Sequence, residues 1–441
     1  MNTDLIIIGS GPGGYHTAEY AAKNGLSVTV IEEKHAGGTC LNCGCIPTKT
    51  FCHEAEVIET VSEYTGSRPE IDFSKIAYRK RQVVEQLRNG VETLMTTPGI
   101  TFIKGKATIK DAHTVIVNND ELTAENIIIA TGSHSKKPPI EGIDSEGVVT
   151  STELLDIDRI PKRLCIIGAG VIGMEFASAF KSFGSEVTVI EFLKECLPAL
   201  DGDIAKRLRK SLEKRGIEFC MQSAVKSISK EDGCLTVVFE KKNKHQQVKA
   251  DIVLVATGRE ANTDGIGLDD AGVEYNRKGI IVDDNMKTNV DSIYAIGDVN
   301  GRMMLAHAAT AQGMRCINHI LKCKDKIRLD IMPSAVFTSP EAAGVGLTEN
   351  QCEEQGIEYA AKKAFYRANG KAVAMNVAEG MVKLLTDNNG TIIGCHAYGA
   401  HASDIIQEAT AIMNYNGTIS DLHDIIHTHP TLGEILQDCS L

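Results

Sequence analysis

The sequence predicts an α/β fold with two Rossmann-like dinucleotide-binding domains followed by a C-terminal α+β domain. Three observations carry this. A unit of strand, Gly-x-Gly-x-x-Gly, helix, strand and acid occurs twice. Apolar strands ending in Ala-Thr-Gly recur at 127–132 and 253–258. Beyond Met332, short strands alternate with helices.

The first unit runs Ile6-Ile7-Ile8-Gly9-Ser10-Gly11-Pro12-Gly13-Gly14, a helical stretch to Lys23, then a strand ending in Glu32. The second runs Cys165-Ile166-Ile167-Gly168-Ala169-Gly170-Val171-Ile172-Gly173, a helix to Phe183, then a strand ending in Glu191. First glycine and acid are 23 residues apart in both. Gly9 and Gly168 make the tight turn, Gly11 and Gly170 admit a pyrophosphate, and Gly14 and Gly173 let helix and strand pack closely. The helix N-terminus turns its free N–H groups to the phosphates. Glu32 and Glu191 are placed to accept hydrogen bonds from ribose hydroxyls. A lone glycine motif often only turns the chain, but strand, helix and acid at the right spacing point to a nucleotide. Two units mean two dinucleotides. Glu191 favours NAD over NADP, because it would repel a 2′-phosphate. Lys194 lies outside that strand end and is expected to be a solvated surface charge.

At 441 residues the chain has room for about three domains of ~150 residues. The expected division is 1–147 for the first nucleotide domain, 148–261 for the second, 262–332 for a central segment returning to the first, and 333–441 for the C-terminal domain. Lys136-Lys137-Pro138-Pro139 breaks the first pattern. The net charge of −12 argues against nucleic acid and anionic membrane as partners. No apolar run approaches the ~18 residues of a membrane span. The N-terminus passes directly into the strand Leu5-Ile6-Ile7-Ile8, so no leader is expected there. With 13 cysteines, the chain is expected to be cytoplasmic, where thiols stay reduced. The cysteines and histidines have no metal-ligand spacing, and no metal site is expected.

The most informative run is Gly37-Gly38-Thr39-Cys40-Leu41-Asn42-Cys43-Gly44-Cys45-Ile46-Pro47-Thr48-Lys49. A C-x4-C pair can close across one turn of a helix, and after a dinucleotide-binding unit the sulfurs are expected beside a bound ring system. A strained, accessible disulfide is a redox device, whereas a structural one is buried and hard to reduce. The run resembles the active-site helix of the flavoprotein disulfide reductases, the class I pyridine nucleotide-disulfide oxidoreductases. Among them C-L-N-x-G-C-I-P-[S/T]-K is most similar to the dihydrolipoyl dehydrogenases. The resemblance implies FAD in the first domain and NAD in the second. It makes Cys40 the interchange thiol and Cys45 the thiolate lying against the flavin as a charge-transfer pair. Lys49 would sit near the flavin N5, held by Glu175, which also falls in the helix facing the nicotinamide.

The same resemblance assigns further cofactor contacts. For FAD these are Gly9, Gly11, Gly14, Glu32, Thr39, Lys49, Ala107 and the Thr131-Gly132-Ser133 turn. Asp298, at the mouth of the strand Tyr294-Ala295-Ile296, would bind the ribitol chain. Met304, Leu305, Ala306 and His307 would pack under the flavin, with His307 a helix start and backbone contact and not an acid or base. For NAD they are Gly168, Gly170, Gly173, Glu175, Glu191, Val225 and Gly258.

Near the C-terminus stands Ile426-His427-Thr428-His429-Pro430-Thr431-Leu432-Gly433-Glu434. A dithiol must lose a proton before it attacks, and histidine titrates where such a base is needed. A carboxylate on the other ring nitrogen fixes the tautomer and raises basicity. H-x-H-P-T-x-x-E resembles the signature of the same family. It implies His429 as base, Glu434 as its partner, a structural His427 and a cis His-Pro peptide. In the family this histidine reaches the disulfide of the other subunit, which makes residues 333–441 a dimer interface and the protein a homodimer.

Two positions depart from the pattern. Cys43 replaces a small apolar residue and is expected to be a buried small hydrophobe; the sharper alternative is a second disulfide partner. Cys439 has no cysteine neighbour in sequence and is expected to be unpaired and not catalytic. The activity implied is oxidation of dihydrolipoyl groups on a carrier protein of a 2-oxo-acid dehydrogenase complex or the glycine cleavage system. Electrons would pass through the Cys40–Cys45 disulfide and FAD to NAD⁺. A glutathione-reductase-like enzyme is the alternative, opposed by Ile46-Pro47-Thr48-Lys49 and Glu191. A non-catalytic nucleotide-binding protein needs a broken motif, and none is broken.

Overall fold

The structure, a computed structural model, describes residues 2–231 and 233–441. It divides into two compact units. One comprises residues 1–50, 77–136 and 258–329; the other comprises 51–76, 137–257 and 330–441.

The first unit is built on a sheet beginning with β1 (Asn2–Ile8), which is followed by α1 (Pro12–Lys23) and β2 (Val28–Glu32). β1 pairs in parallel with β2 and with the strand Asp120–Ile129, so Ile6 lies opposite both Thr29 and Ile127. Ile100–Lys104 extends the sheet beside β2, and Ile293–Ala295 pairs with Asp120–Ile129. An antiparallel meander through 107–109 and 114–117 completes its seven strands. Ile6, Ile8, Ile127 and Ile129 face one apolar cluster, while Leu5, Ile7 and Ile128 face another. Burial on both faces is why these strands read as unbroken apolar runs and not as an alternation. Pro12 stands in the first turn of α1, where its fixed φ suits the helix and its missing N–H costs nothing.

After β2 come α2 (Gly38–Cys43), α3 (Cys45–Thr65) and α4 (Phe73–Leu94). Leu41 of α2 packs with Ala36 and with Val84 and Val91 of α4 in a small satellite cluster. That contact seats the cysteine run on α4.

The second unit carries a five-stranded parallel sheet in the order 218–220, 186–190, 163–167, 252–255 and 148–149. The helix α5 (Val171–Phe183) follows its second glycine loop. Leu164 and Ile166 face one cluster, Cys165 and Ile167 the other. A three-stranded antiparallel sheet spans 223–250. Residues 334–399 form a five-stranded antiparallel sheet in which Lys383 lies opposite His396. The helix Ala402–Asn414 packs on this sheet through Ile405, Ile406 and Ala409. Among the described residues, no helix is long and apolar enough to cross a membrane.

Candidate active site

The two glycine loops have the same geometry. Gly9 and Gly168 sit at φ +104° and +106°, and a Cβ on either would lie 2.4 Å from the backbone oxygen of the residue just past the neighbouring strand, Ala130 or Ala256. A Cβ on Gly14 would lie 2.0 Å from Gly9 O, and one on Gly173 would lie 2.1 Å from Gly168 O. Only glycine is tolerated at these four positions. The middle glycines differ: a Cβ on Gly11 would meet nothing nearer than 3.9 Å, and one on Gly170 nothing within 4 Å. Their open side leaves room for a group such as a pyrophosphate. No side chain caps either helix, which leaves the first-turn N–H groups for a ligand.

The acids are held ready. Glu32 Oε2 accepts from Ser10 N at 2.8 Å and from the Ser10 hydroxyl at 2.7 Å, and its Oε1 accepts from Lys34 N at 2.9 Å. Glu191 Oε2 accepts from Ala169 N at 2.6 Å and its Oε1 from Leu193 N at 2.8 Å. Each carboxylate is fixed against its glycine loop. The residues present fit two dinucleotides. Lys194 is exposed.

The cysteine pair bridges a helix break. Cys40 lies in α2, Cys45 begins α3, and Gly44 between them has φ −138° and ψ −111°. The expected closure across one turn of a single helix is corrected here, because Gly44 turns the chain between two helices. The side chains of Cys40 and Cys45 are hydrogen-bonded to each other. That bond is the largest influence pushing the Cys40 thiol up, burial adds to it, and the Lys49 ammonium opposes both. Gly38, at φ +59°, approaches so closely that its Cβ would lie 2.6 Å from the Gly11 Cα. The redox turn therefore abuts the first glycine loop, and Thr39 lies beside that contact. Cys43 is half-buried, not buried as expected. Cys439 is buried, and burial pushes it to about 12.

A cavity of about 430 Å³ opens on the Cys40 side. It is lined by Pro12, Tyr15 and His16 of α1 and by Ala306, His307, Thr310 and Met314 of the helix Ala306–Ile320. Burial, then the two cysteines, raise the Tyr15 phenol. Ala306 and His307 begin the helix Ala306–Ile320, as expected of a helix start. Asp298 lies in the turn Gly297–Asn300, where it accepts from the Ser133 hydroxyl. Arg259, which sequence reasoning missed, donates to Ser133 Oγ at 2.7 Å and to Ser133 O at 2.6 Å. Thr131 Oγ1 donates to Asn262 O at 2.9 Å, and Gly132 takes the left-handed conformation beside it. Ala107 is buried at the start of its strand.

In the second unit, Glu175 is buried on α5 and accepts from Phe337 N at 3.0 Å. Val225 lies in the strand Ser223–Glu231. Gly258, in the first unit, has φ +112°. His429 Nδ1 lies 2.9 Å from Glu434 Oε1, and Glu434 Oε2 accepts from Thr431 N at 2.7 Å. The Thr431 N–H, then His429, hold the Glu434 carboxyl below its ordinary range. The carboxylate therefore accepts a hydrogen bond from Nδ1–H and leaves Nε2 as the nitrogen open to accept a proton. The His429 side chain is 79% exposed, open to whatever approaches it. The His429–Pro430 peptide is cis. His427 faces acceptors on both nitrogens, Ile425 O at 3.0 Å and Glu408 Oε1 at 2.9 Å, and its side chain is buried. Among the described residues, no group of three or more His, Cys, Asp or Glu is arranged to hold a metal ion.

Residues 3–313 match the family described as pyridine nucleotide-disulphide oxidoreductase, and residues 332–439 match its dimerisation domain. The mitochondrial dihydrolipoyl dehydrogenase of Pisum sativum is 37% identical over 99% of this chain and 91% of its own length. The dihydrolipoyl dehydrogenase of Mycobacterium tuberculosis is 40% identical over 99% of this chain and 97% of its own. Among solved structures, a Cu(II) complex of the HOCl-induced flavoprotein disulfide reductase RclA from Escherichia coli matches with a TM-score of 0.90. It is 32% identical over 100% of this chain and 99% of its own.

Proposed function

This chain belongs to the pyridine nucleotide-disulphide oxidoreductase family, and from that premise we propose how its residues divide the work. It is a flavoprotein oxidoreductase of the dihydrolipoyl dehydrogenase type that uses FAD and NAD. The matching dimerisation domain supports a homodimer. The two open-sided glycine loops, each with its acid clamped in place, hold the cofactors: Gly9, Gly11, Gly14 and Glu32 for FAD, Gly168, Gly170, Gly173 and Glu191 for NAD. The division 1–147, 148–261, 262–332 and 333–441 is kept as the order of FAD, NAD, central and dimerisation segments.

The observation that carries the mechanism is the hydrogen-bonded Cys40–Cys45 pair beside a cavity. His429, oriented by Glu434, takes the proton from one thiol of a dihydrolipoyl group. The resulting thiolate attacks Cys40 of the disulfide, and Cys45 leaves as thiolate. The second substrate thiol then displaces Cys40, which takes that thiol's proton and becomes a thiol, and the substrate leaves as its cyclic disulfide. Two electrons now reside on the dithiol, and the proton taken by His429 passes to solvent. FAD, held by Gly9, Gly11, Gly14 and Glu32, would supply two-electron transfer from this dithiol to an NAD⁺ held by Gly168, Gly170, Gly173 and Glu191. Lys49 supports the thiolate form, and Glu175 belongs to the nicotinamide side. The partner supported by this reading is the lipoylated carrier protein of a 2-oxo-acid dehydrogenase complex or the glycine cleavage system. Thirteen cysteines support a reducing compartment, the cytoplasm.

The test is the rate of NAD⁺ reduction by dihydrolipoamide, run beside NADP⁺ and beside NAD(P)H with oxidised glutathione. Fast NAD⁺ reduction alone is expected, and Cys45→Ser should abolish it while some NADH–dye activity remains. An unchanged lipoamide rate in that variant removes the disulfide from the mechanism. The likeness to RclA favours a second reading, reduction of another disulfide by NAD(P)H. It would replace the first if lipoamide activity were absent and such a reduction strong.

A further inference from the structure

We propose that Arg88 is a positioning residue for the redox dithiol, acting through Asn42. This rests on the reading of Cys40 and Cys45 as the redox pair, and nothing in the sequence motif points to it.

Val84, Arg88 and Val91 fall at positions i, i+4 and i+7 of α4, on one face of that helix. Both valines are buried in the cluster that receives Leu41 of α2. An arginine in the middle of an apolar stripe is partly desolvated, and such a group is retained only with a polar partner. Here the partner is the redox turn itself. Arg88 Nε donates to Asn42 Oδ1 at 2.7 Å. Asn42 Nδ2 donates in turn to Ala36 O at 2.9 Å and to Gly38 O at 2.8 Å.

The direction of this relay is determined by chemistry. A guanidinium only donates, so the amide oxygen must face Arg88 and the amide nitrogen must face the two carbonyls. Those carbonyls flank Gly37 and Gly38, both at positive φ. They belong to the segment that lays α2 against the first glycine loop. Asn42 lies between Cys40 and Cys45, so an amide that cannot turn holds the backbone carrying Cys40. Arg88 also supplies charge. Among the described residues it pairs with no carboxylate. The relay fixes Cys40 where it and Cys45 are hydrogen-bonded thiols, so holding it in place favours the reduced pair. Hydrogen bonds in series polarise one another, which strengthens the donation from Asn42.

The experiment uses the flavin-bound protein. Arg88→Met keeps the aliphatic stem and removes donor and charge; Arg88→Lys keeps a cationic donor. Two quantities are read: the equilibrium of the Cys40–Cys45 pair against a dithiothreitol redox buffer, and the rate at which iodoacetamide alkylates the reduced protein near pH 7. In Arg88→Met the equilibrium should move toward the disulfide by about tenfold, which is about 30 mV for two electrons. Alkylation should slow in step, and Arg88→Lys should stay near the parent in both. Parental values in Arg88→Met, or an equal shift in Arg88→Lys, overturn the proposal. If Arg88→Met yields no flavin-bound protein, Arg88→Leu, which also lacks a donor, carries the same expectation and the same refutation. The two readings fail separately. Full lipoamide turnover in Cys45→Ser defeats the redox pair, whereas parental dithiol chemistry in Arg88→Met defeats only the role of Arg88.

Discussion

His429, the proposed base, shows how two neighbours can orient one side chain. Its Nδ1 faces a carboxylate that Thr431 also holds, so the ring has one orientation and one free nitrogen. The Glu434 carboxyl is held below its ordinary value of 4.5. The clamp therefore survives as pH falls to that value and fails only below it. His429→Gln keeps size and hydrogen bonding but removes the proposed base. Lipoamide turnover should fall by roughly two orders of magnitude or more, the scale of a lost general base. A parental steady-state rate would move the base elsewhere. Arg259 and Arg88 were not legible at this scale. Neither belongs to a motif, and each acts on a residue distant in sequence, Ser133 and Asn42.

The redox turn is the element on which the site depends, and it is two helices, not one. Gly44 permits the break: a Cβ there would lie 2.9 Å from Thr39 O and 3.2 Å from the Cys40 Cα. Both contacts are with backbone, which cannot swing aside. Gly44→Ala should therefore displace the turn or strain it. The cost expected is about 1–3 kcal/mol, as for an overpacked core position. Cys40 and Cys45 should also meet less readily. Denaturant unfolding and the rate of dithiol oxidation check the two parts; parental values in both would mean that the turn absorbs the methyl group. The C-x4-C spacing marked two cysteines whose side chains are hydrogen-bonded to each other, but the break depends on how closely α2 and α3 approach, which spacing does not encode.

At the scale of the whole molecule, the second unit draws distant segments together around one buried cation. Lys383 is fully buried on its strand and lies 2.5 Å from Asp201 Oδ1, with Glu349 as its second carboxylate. Asp201 caps the helix Gly202–Lys214 and accepts from Glu349 N at 3.2 Å. His396, opposite Lys383, places its Nε2 2.7 Å from Leu347 O. Burial alone would raise the Asp201 carboxyl, but Lys383 and the groups around it bring it below its ordinary value of 3.8. An unfolded chain binds more protons there, so this contribution is present above that value and is lost as pH falls through the lower folded value. Lys383→Met leaves two carboxylates without their cation and should cost about 3–5 kcal/mol. Chemical denaturation near neutral pH measures it; a loss below ~1 kcal/mol would mean that water or rearrangement replaces the lysine.

The sequence by itself determined the parts whose chemistry is local. A glycine that must turn, an acid 23 residues on and a C-x4-C pair are constraints between near neighbours. The amino-acid order alone therefore displays both nucleotide loops, the dithiol, the His429–Glu434 pair and the α/β class. The tertiary structure alone decided the break at Gly44, the half-buried state of Cys43, the orientation of Ser133 by Arg259 and the ring of charge around Lys383. These depend on which side chains from remote segments reach the same place. Such meetings follow from packing three-dimensional surfaces against one another, and no periodicity along the chain records them.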